Sequence, residues 1–260
     1  MNLRQTTRDI IGLVEERSGF PVQVLEDPDL PVIAQVRMAR GTAPSHFVFY
    51  KPSEGESPDY AICHQCGFIL RHFANPPERR FELAGAPTGQ AEVEKAVLAP
   101  DGPARRFQLG RDDITQLRSH LMSSILVHLR SVPIGLRISV WLADSYPELA
   151  AVQRANVAAE LALAKETLKP ATREATPDVV YRPAEIINTA FALFWAQRYG
   201  QPEIAEPYRY AGYGKDGQAL LKIWNELPDD PLNDKELVDT WADYLGIRTW
   251  YTWTRYEPPA

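Results

Sequence analysis

The chain has 260 residues, enough to bury a substantial core as one large domain or two modest ones. Its hydrophobic share of 45% and charged share of 24% are ordinary for a globular protein, and 34 acidic against 28 basic side chains leave a net charge of −6, which disfavours a nucleic-acid surface. No apolar run reads as a membrane span and Met1 to Gln5 lack the apolar core of a signal peptide, so the expectation is a cytoplasmic protein without a membrane partner.

Thr6 or Thr7 reads as the cap of a first helix running to about Arg17 and closed by Ser18-Gly19, with Ile10, Ile11 and Val14 on its buried face. Residues 22–25, 32–36 and 46–50 have the β-branched and aromatic content of three short strands. His46 opens the third and reads as an exposed strand-edge residue. Residues 59–73, D-Y-A-I-C-H-Q-C-G-F-I-L-R-H-F, form the stretch with the most chemistry. Pro58 suits a helix start, and Asn75-Pro76-Pro77 is a stop. Ile62, Cys66, Ile69 and Phe73 make one apolar helical face, while Tyr60, His64, Phe68 and His72 line another stripe.

The run A-I-C-H-Q-C-G-F-I-L-R-H resembles the metal-binding helix of the ImmA/IrrE family of zinc metallopeptidases. His64 falls on the family's first zinc histidine and Gly67 on its glycine, while Leu70 and His72 match the tail. Gln65 stands where the general-base glutamate belongs and Phe68 where the second zinc histidine belongs. A zinc peptidase needs two imidazoles one turn apart and a carboxylate to take a proton from metal-bound water. Neither glutamine nor phenylalanine meets that requirement. Residues 153–163, Q-R-A-N-V-A-A-E-L-A-L, are similar to the family's later helix, and Val152 falls on its usual third ligand. Glu148, one turn earlier, is a candidate substitute. The resemblance implies a zincin-like fold whose catalytic positions Gln65, Phe68 and Val152 have all lost their chemistry.

Residues 75–110 read as an irregular, locally basic insertion (Arg79, Arg80, Arg105, Arg106), either solvated surface or an anion contact. Asp112-Asp113 caps a predicted helix to about Arg130; residues 134–142 are apolar and fit strand or helix. Residues 149–168 read as a helix whose alanines suggest close packing against a neighbour, the histidine helix being the first choice. Residues 171–183 read as a linker. Helices are then expected over 184–199, 217–227 and 234–245, a tyrosine- and glycine-rich loop over 202–217, and a strand over 247–256. Five tryptophans (195, 224, 241, 250, 253) and Arg209, Arg248 and Arg255 in this part fill a core or form a binding or homodimer face.

These readings combine into an α+β fold: a zincin-like region over 1–170 with the insertion at about 75–110, then a mainly helical, aromatic-rich region over 184–260. Cys63 and Cys66 read as core residues or a redox pair; both cannot join His64 on one metal, because Cys66 lies about 200° around the helix from it. The function expected is a catalytically inactive, metallopeptidase-like binding or regulatory module without a cofactor. Its partner would be a protein or peptide, with Tyr60, His64 and Arg71 as candidate contacts. One alternative is a zinc peptidase with a rearranged site drawn from His64, His72, Cys63 and Glu148; another is a redox sensor through Cys63 and Cys66.

Overall fold

A computed structural model describes residues 3–52 and 57–259. In chain order the elements are α1 (Gln5–Ser18), β1 (Val22–Glu26), β2 (Ala34–Arg37), β3 (His46–Tyr50), α2 (Asp59–Ala74), β4 (Phe81–Gly85), α3 (Pro87–Val97), α4 (Pro103–Arg106) and α5 (Arg111–Ser145). There follow α6 (Ala150–Glu166), α7 (Pro170–Ala175), α8 (Asp178–Tyr199), α9 (Glu206–Tyr210), α10 (Gly214–Glu226), α11 (Asp234–Leu245) and β5 (Tyr251–Arg255). The fold is α+β, helix-dominated, with sheets of three and two strands. It divides into two compact units that interleave along the chain. The first comprises Met1–Glu82, Ile134–Glu160 and Arg255–Ala260; the second comprises Leu83–Pro133 and Leu161–Thr254.

The first unit is built on a sheet of order β1-β3-β2, in which β1 runs parallel to β3 and β2 antiparallel. β3 is therefore central, and His46, Val48 and Tyr50 alternate onto its buried face. This placement corrects the reading of His46 as exposed: it is fully buried, its Nδ1 accepts from the Ala39 amide at 3.0 Å, and its ring packs edge-on to Phe20 and Phe73. A strand that is third in sequence but central in space cannot be told from an edge strand by its residues alone.

α1 and α2 pack together, and α2 is buried on nearly every side; only His64, Gln65, Arg71 and Ala74 retain appreciable exposure. Both of its predicted stripes are apolar enough to be covered, which is the pattern of an interior helix. The buried Asp59 carboxylate fastens the two helices. Its Oδ1 accepts from the Arg4 amide at 2.9 Å and from the Thr7 hydroxyl, and its Oδ2 accepts from Ser57. Thr7 is thus an interior contact of a helix that starts at Gln5, and no side chain caps α1.

The end of α2 is capped from outside. Arg80 Nε donates to the Asn75 carbonyl at 2.9 Å, Nη2 reaches the Phe73 carbonyl at 3.3 Å, and the guanidinium covers the Phe73 ring. In the segment 75–110, expected to be irregular, the chain forms β4, α3 and α4. Arg106 likewise bonds main-chain carbonyls, those of Glu174 and Asp101.

α5 continues through Pro133, so residues 134–142 are helix. Proline removes the donor that the Leu129 carbonyl would otherwise meet, and the helix nonetheless continues. The Pro133 carbonyl itself accepts from the Trp224 indole at 2.9 Å. By length and hydropathy α5 is long and apolar enough to cross a bilayer, which corrects the reading that no run qualifies; 61% of its apolar window is buried within the protein itself. The alanine-rich α6 corrects a second expectation: Ala151, Ala155, Ala158 and Ala162 are exposed, and Gln153 and Val157 carry the packing.

In the second unit α8 packs on α10 closely enough that a Cβ on Gly217 would lie 2.5 Å from Thr189 Cγ2. Trp195, Trp241, Tyr208 and Trp250 are core residues, and Trp253 donates to Asp239 at 2.7 Å. The segments read as a loop and a linker contain α9 and α7, helices too short to show a period.

Burial alone would raise the Asp59 carboxyl, but the bonds from Ser57, Thr7 and the Arg4 amide, with the Arg4 charge, bring it below the usual aspartate value. Its stabilising effect is full above about pH 4, the unfolded value, and is lost as pH falls below that. Asp59→Ala is expected to cost about 2–4 kcal/mol in urea unfolding at pH 7, with a smaller loss at pH 3. A penalty equal at both pH values would remove the carboxylate from this role.

Candidate functional site

The candidate site is the exposed margin of α2 and what faces it from residues 134–160. At two positions the approach is close. A Cβ on Gly67 would stand 2.3 Å from Ile138 Cγ2, and one on Gly135 would stand 3.2 Å from the His64 ring. At Gly67 a side chain would force Ile138 to move, and at Gly135 it would crowd the His64 ring.

His64 lies within this contact. Its Nε2 is 3.1 Å from the Gly135 carbonyl oxygen, and since a carbonyl only accepts, Nε2 carries the ring proton. Phe68 abuts the ring edge-on at 5.4 Å between centroids, and Tyr60 lies 5.7 Å away on the other side. Desolvation lowers the His64 pKa to about 4 against the partial restoring effect of the Gly135 carbonyl, so the ring is neutral at pH 7.

Tyr60, read as a partner contact, is 2% exposed and turned inward. Its hydroxyl shares a 2.8 Å hydrogen bond with Ser139 Oγ, and Gln153 Nε2 donates to that hydroxyl at 3.3 Å and to the Ser139 carbonyl at 2.9 Å. Val152, read from the sequence as matching a third-ligand position, is half-buried beside Gln153. Gly135, Ser139 and Gln153 complete the neighbourhood of α2, and sequence reasoning missed all three. Gly135 and Ser139 carry no motif, Gln153 opens the 153–163 stretch but was given no role there, and the three lie 71 to 93 residues from the side chains they meet.

The remaining candidates point elsewhere. His72 is eight residues beyond His64, about 12 Å along the helix axis, and packs on Tyr256 at 4.7 Å between centroids. The Glu148 carboxylate accepts from Thr6 Oγ1 at 2.5 Å, the main cause of its lowered pKa. Cys63 is fully buried with Sγ 3.6 Å from Thr7 Oγ1, and burial pushes its thiol up to about 12; burial raises the Cys66 thiol as well. Both side chains are held as thiols, the opposite of the thiolate that reactive cysteines need. Gln65 and Arg71 are half-buried on the margin of α2.

This donor set does not fit a catalytic zinc. Such a site takes three protein ligands and an open position. Here one imidazole donates its Nε2 proton to a carbonyl, the next turn offers a phenyl ring, and His72 and Glu148 face other partners. Among the described residues no group of three or more His, Cys, Asp or Glu side chains converges to hold a metal.

His46, which desolvation also lowers to about 4, and His64 act together on acid stability. Unfolded histidine titrates near 6.5, so between about pH 6.5 and 4 the unfolded chain binds protons that the folded chain does not. Stability is expected to fall over that range by about 3–6 kcal/mol, measured by urea unfolding at stepped pH, and His64→Gln should flatten the slope. A slope unchanged by that substitution would place the titration elsewhere.

Comparison of the chain with protein-family models, curated proteins and solved structures returns no match.

Proposed function

We propose that the protein is a binding or regulatory module on a metallopeptidase-like scaffold, recognising a protein or peptide without hydrolysing it. The observation that carries this reading is the engagement of His64, whose protonated Nε2 meets the Gly135 carbonyl beside the Phe68 ring. A hydrolase of the class that α2 resembles needs that nitrogen as a ligand and its neighbour as a base. Here the nitrogen is a donor, and the neighbouring Gln65 has no carboxylate to accept a proton. The module's rigidity follows from the same contacts. Gly67 and Gly135 allow α2 and its facing segment to interlock, which suits a scaffold that presents a fixed surface.

The test is metal content of the protein purified without chelator, together with hydrolysis of a casein substrate. The expected result is protein without stoichiometric zinc and without hydrolysis. About one zinc per chain, lost on His64→Ala along with peptide cleavage, would overturn the proposal. A second expectation concerns the scaffold. Gly67→Ala drives a methyl into Ile138 and should cost about 1–3 kcal/mol, read as a lowered urea midpoint. Pairing it with Ile138→Val should recover part of that loss, an outcome that separates local crowding from a general weakening of α2.

A further inference from the structure

The second unit carries a groove of about 390 Å³ whose lining is unlike the aromatic core beside it. One wall is the 118–130 stretch of α5, where lining residues recur at steps of one and three, a single helical face. The other is supplied by Leu83 and Gly85 of β4 and by Gln90 of α3. Gly85 lies over the floor: a Cβ there would be 3.6 Å from Leu126 Cδ1 and 3.7 Å from Met122 Cε.

The chemistry is graded along the groove. Arg118 and Arg130 stand at its two ends, twelve residues or about 18 Å apart along the helix. Between them Ser119, Ser123 and Gln90 offer groups that both donate and accept, above the apolar floor. Val127, 59% exposed, extends the apolar surface at the rim. Among the described residues that line the groove there is no carboxylate, in a chain whose net charge is −6. Glu94 is engaged with Arg118, its Oε2 accepting from Nη1 at 2.7 Å.

From this arrangement we infer that the groove binds an extended peptide segment of a partner protein, apolar in the middle and acidic at both ends. An extended strand covers about 18 Å in five to six residues, matching the separation of the arginines. Guanidinium groups bind carboxylates through paired N–H donors, which gives the ends their selectivity. The middle decides between a peptide and an aliphatic acid. A main chain satisfies the two serines and Gln90 with its own amides, whereas an alkyl chain would strip them of water and return no hydrogen bond. The site is separate from His64, and the inference holds or fails independently of the metal reading.

The experiment is an array of hexapeptides with apolar middles and Glu, Gln or Lys at the end positions, probed with the full chain, followed by anisotropy titration of the best sequence. Glu-ended peptides are expected to bind about tenfold more tightly than Lys-ended peptides of the same middle. Arg118→Ala/Arg130→Ala should abolish that preference, the corresponding double Lys variant should keep part of it, and Glu94→Gln should strengthen it. Arg105→Ala, outside the groove, should leave it intact. Thermal midpoints of the variants separate loss of binding from loss of fold. Equal binding of Glu-ended and Lys-ended peptides, or a preference that survives in the double Ala variant, would overturn the inference. So would decanoate binding that depends on the two arginines when no peptide is retained.

Discussion

Two glycines govern the first unit. Gly67 and Gly135 allow α2 and the segment beginning at Ile134 to come close: a Cβ on Gly67 would collide with Ile138, and one on Gly135 would press on the His64 ring. Everything notable about the candidate site follows from that approach. The Gly135 carbonyl reaches His64, Ile138 fills the notch over Gly67, and Ser139 and Gln153 meet the Tyr60 hydroxyl. A polar network this enclosed is favourable only when its members are satisfied, and here each hydrogen bond is made by a residue distant in sequence.

The same packing bears on a helix whose sequence resembles a metal-binding helix but lacks its second histidine and its glutamate. A metal-binding helix keeps its imidazoles turned toward an open cleft. α2 turns Tyr60 and Phe68 inward with 2% and 9% exposure, and its one half-exposed histidine is already bonded. Desolvation then keeps that histidine neutral, which relieves the unit of a buried charge at pH 7. The buried thiols of Cys63 and Cys66 obey the same logic, since burial favours the uncharged form of each.

Much of the framework was legible in the residues. Pro58 and Asn75-Pro76-Pro77 bound α2 to within a residue, the strand at 46–50 was placed by its aromatic and β-branched content, and α11 by its period. The failures share a cause: each depended on where a segment lies in space. His46 looked exposed because nothing in a five-residue strand reports that it will be central. The helix at 111–145 was read only to about Arg130, with 134–142 left as strand or helix, because an apolar run past a proline carries no period that settles which it is. The alanines of α6 looked like a packing face, yet the two residues that pack are Gln153 and Val157. Within the candidate site the residue types on α2 were readable, whereas the groups facing them were not, because glycine, serine and glutamine announce no role until a fold sets them opposite a partner.

The interleaving of the two units has a consequence for how the chain is made. Neither unit is a continuous stretch, so a nascent chain emerging from its N-terminus holds no finished unit until residues beyond 250 have been synthesised. Tyr256 makes the point concretely: its amide donates to the Arg80 carbonyl and its hydroxyl to the Ala39 carbonyl, closing loops of well over a hundred residues. Such closures come late and slowly, because chain entropy is lost before the contact forms. During that interval the apolar faces of α2 and of the strand at 46–50 wait without their covering segments, and it is then, rather than in the finished fold, that this protein is most exposed to aggregation.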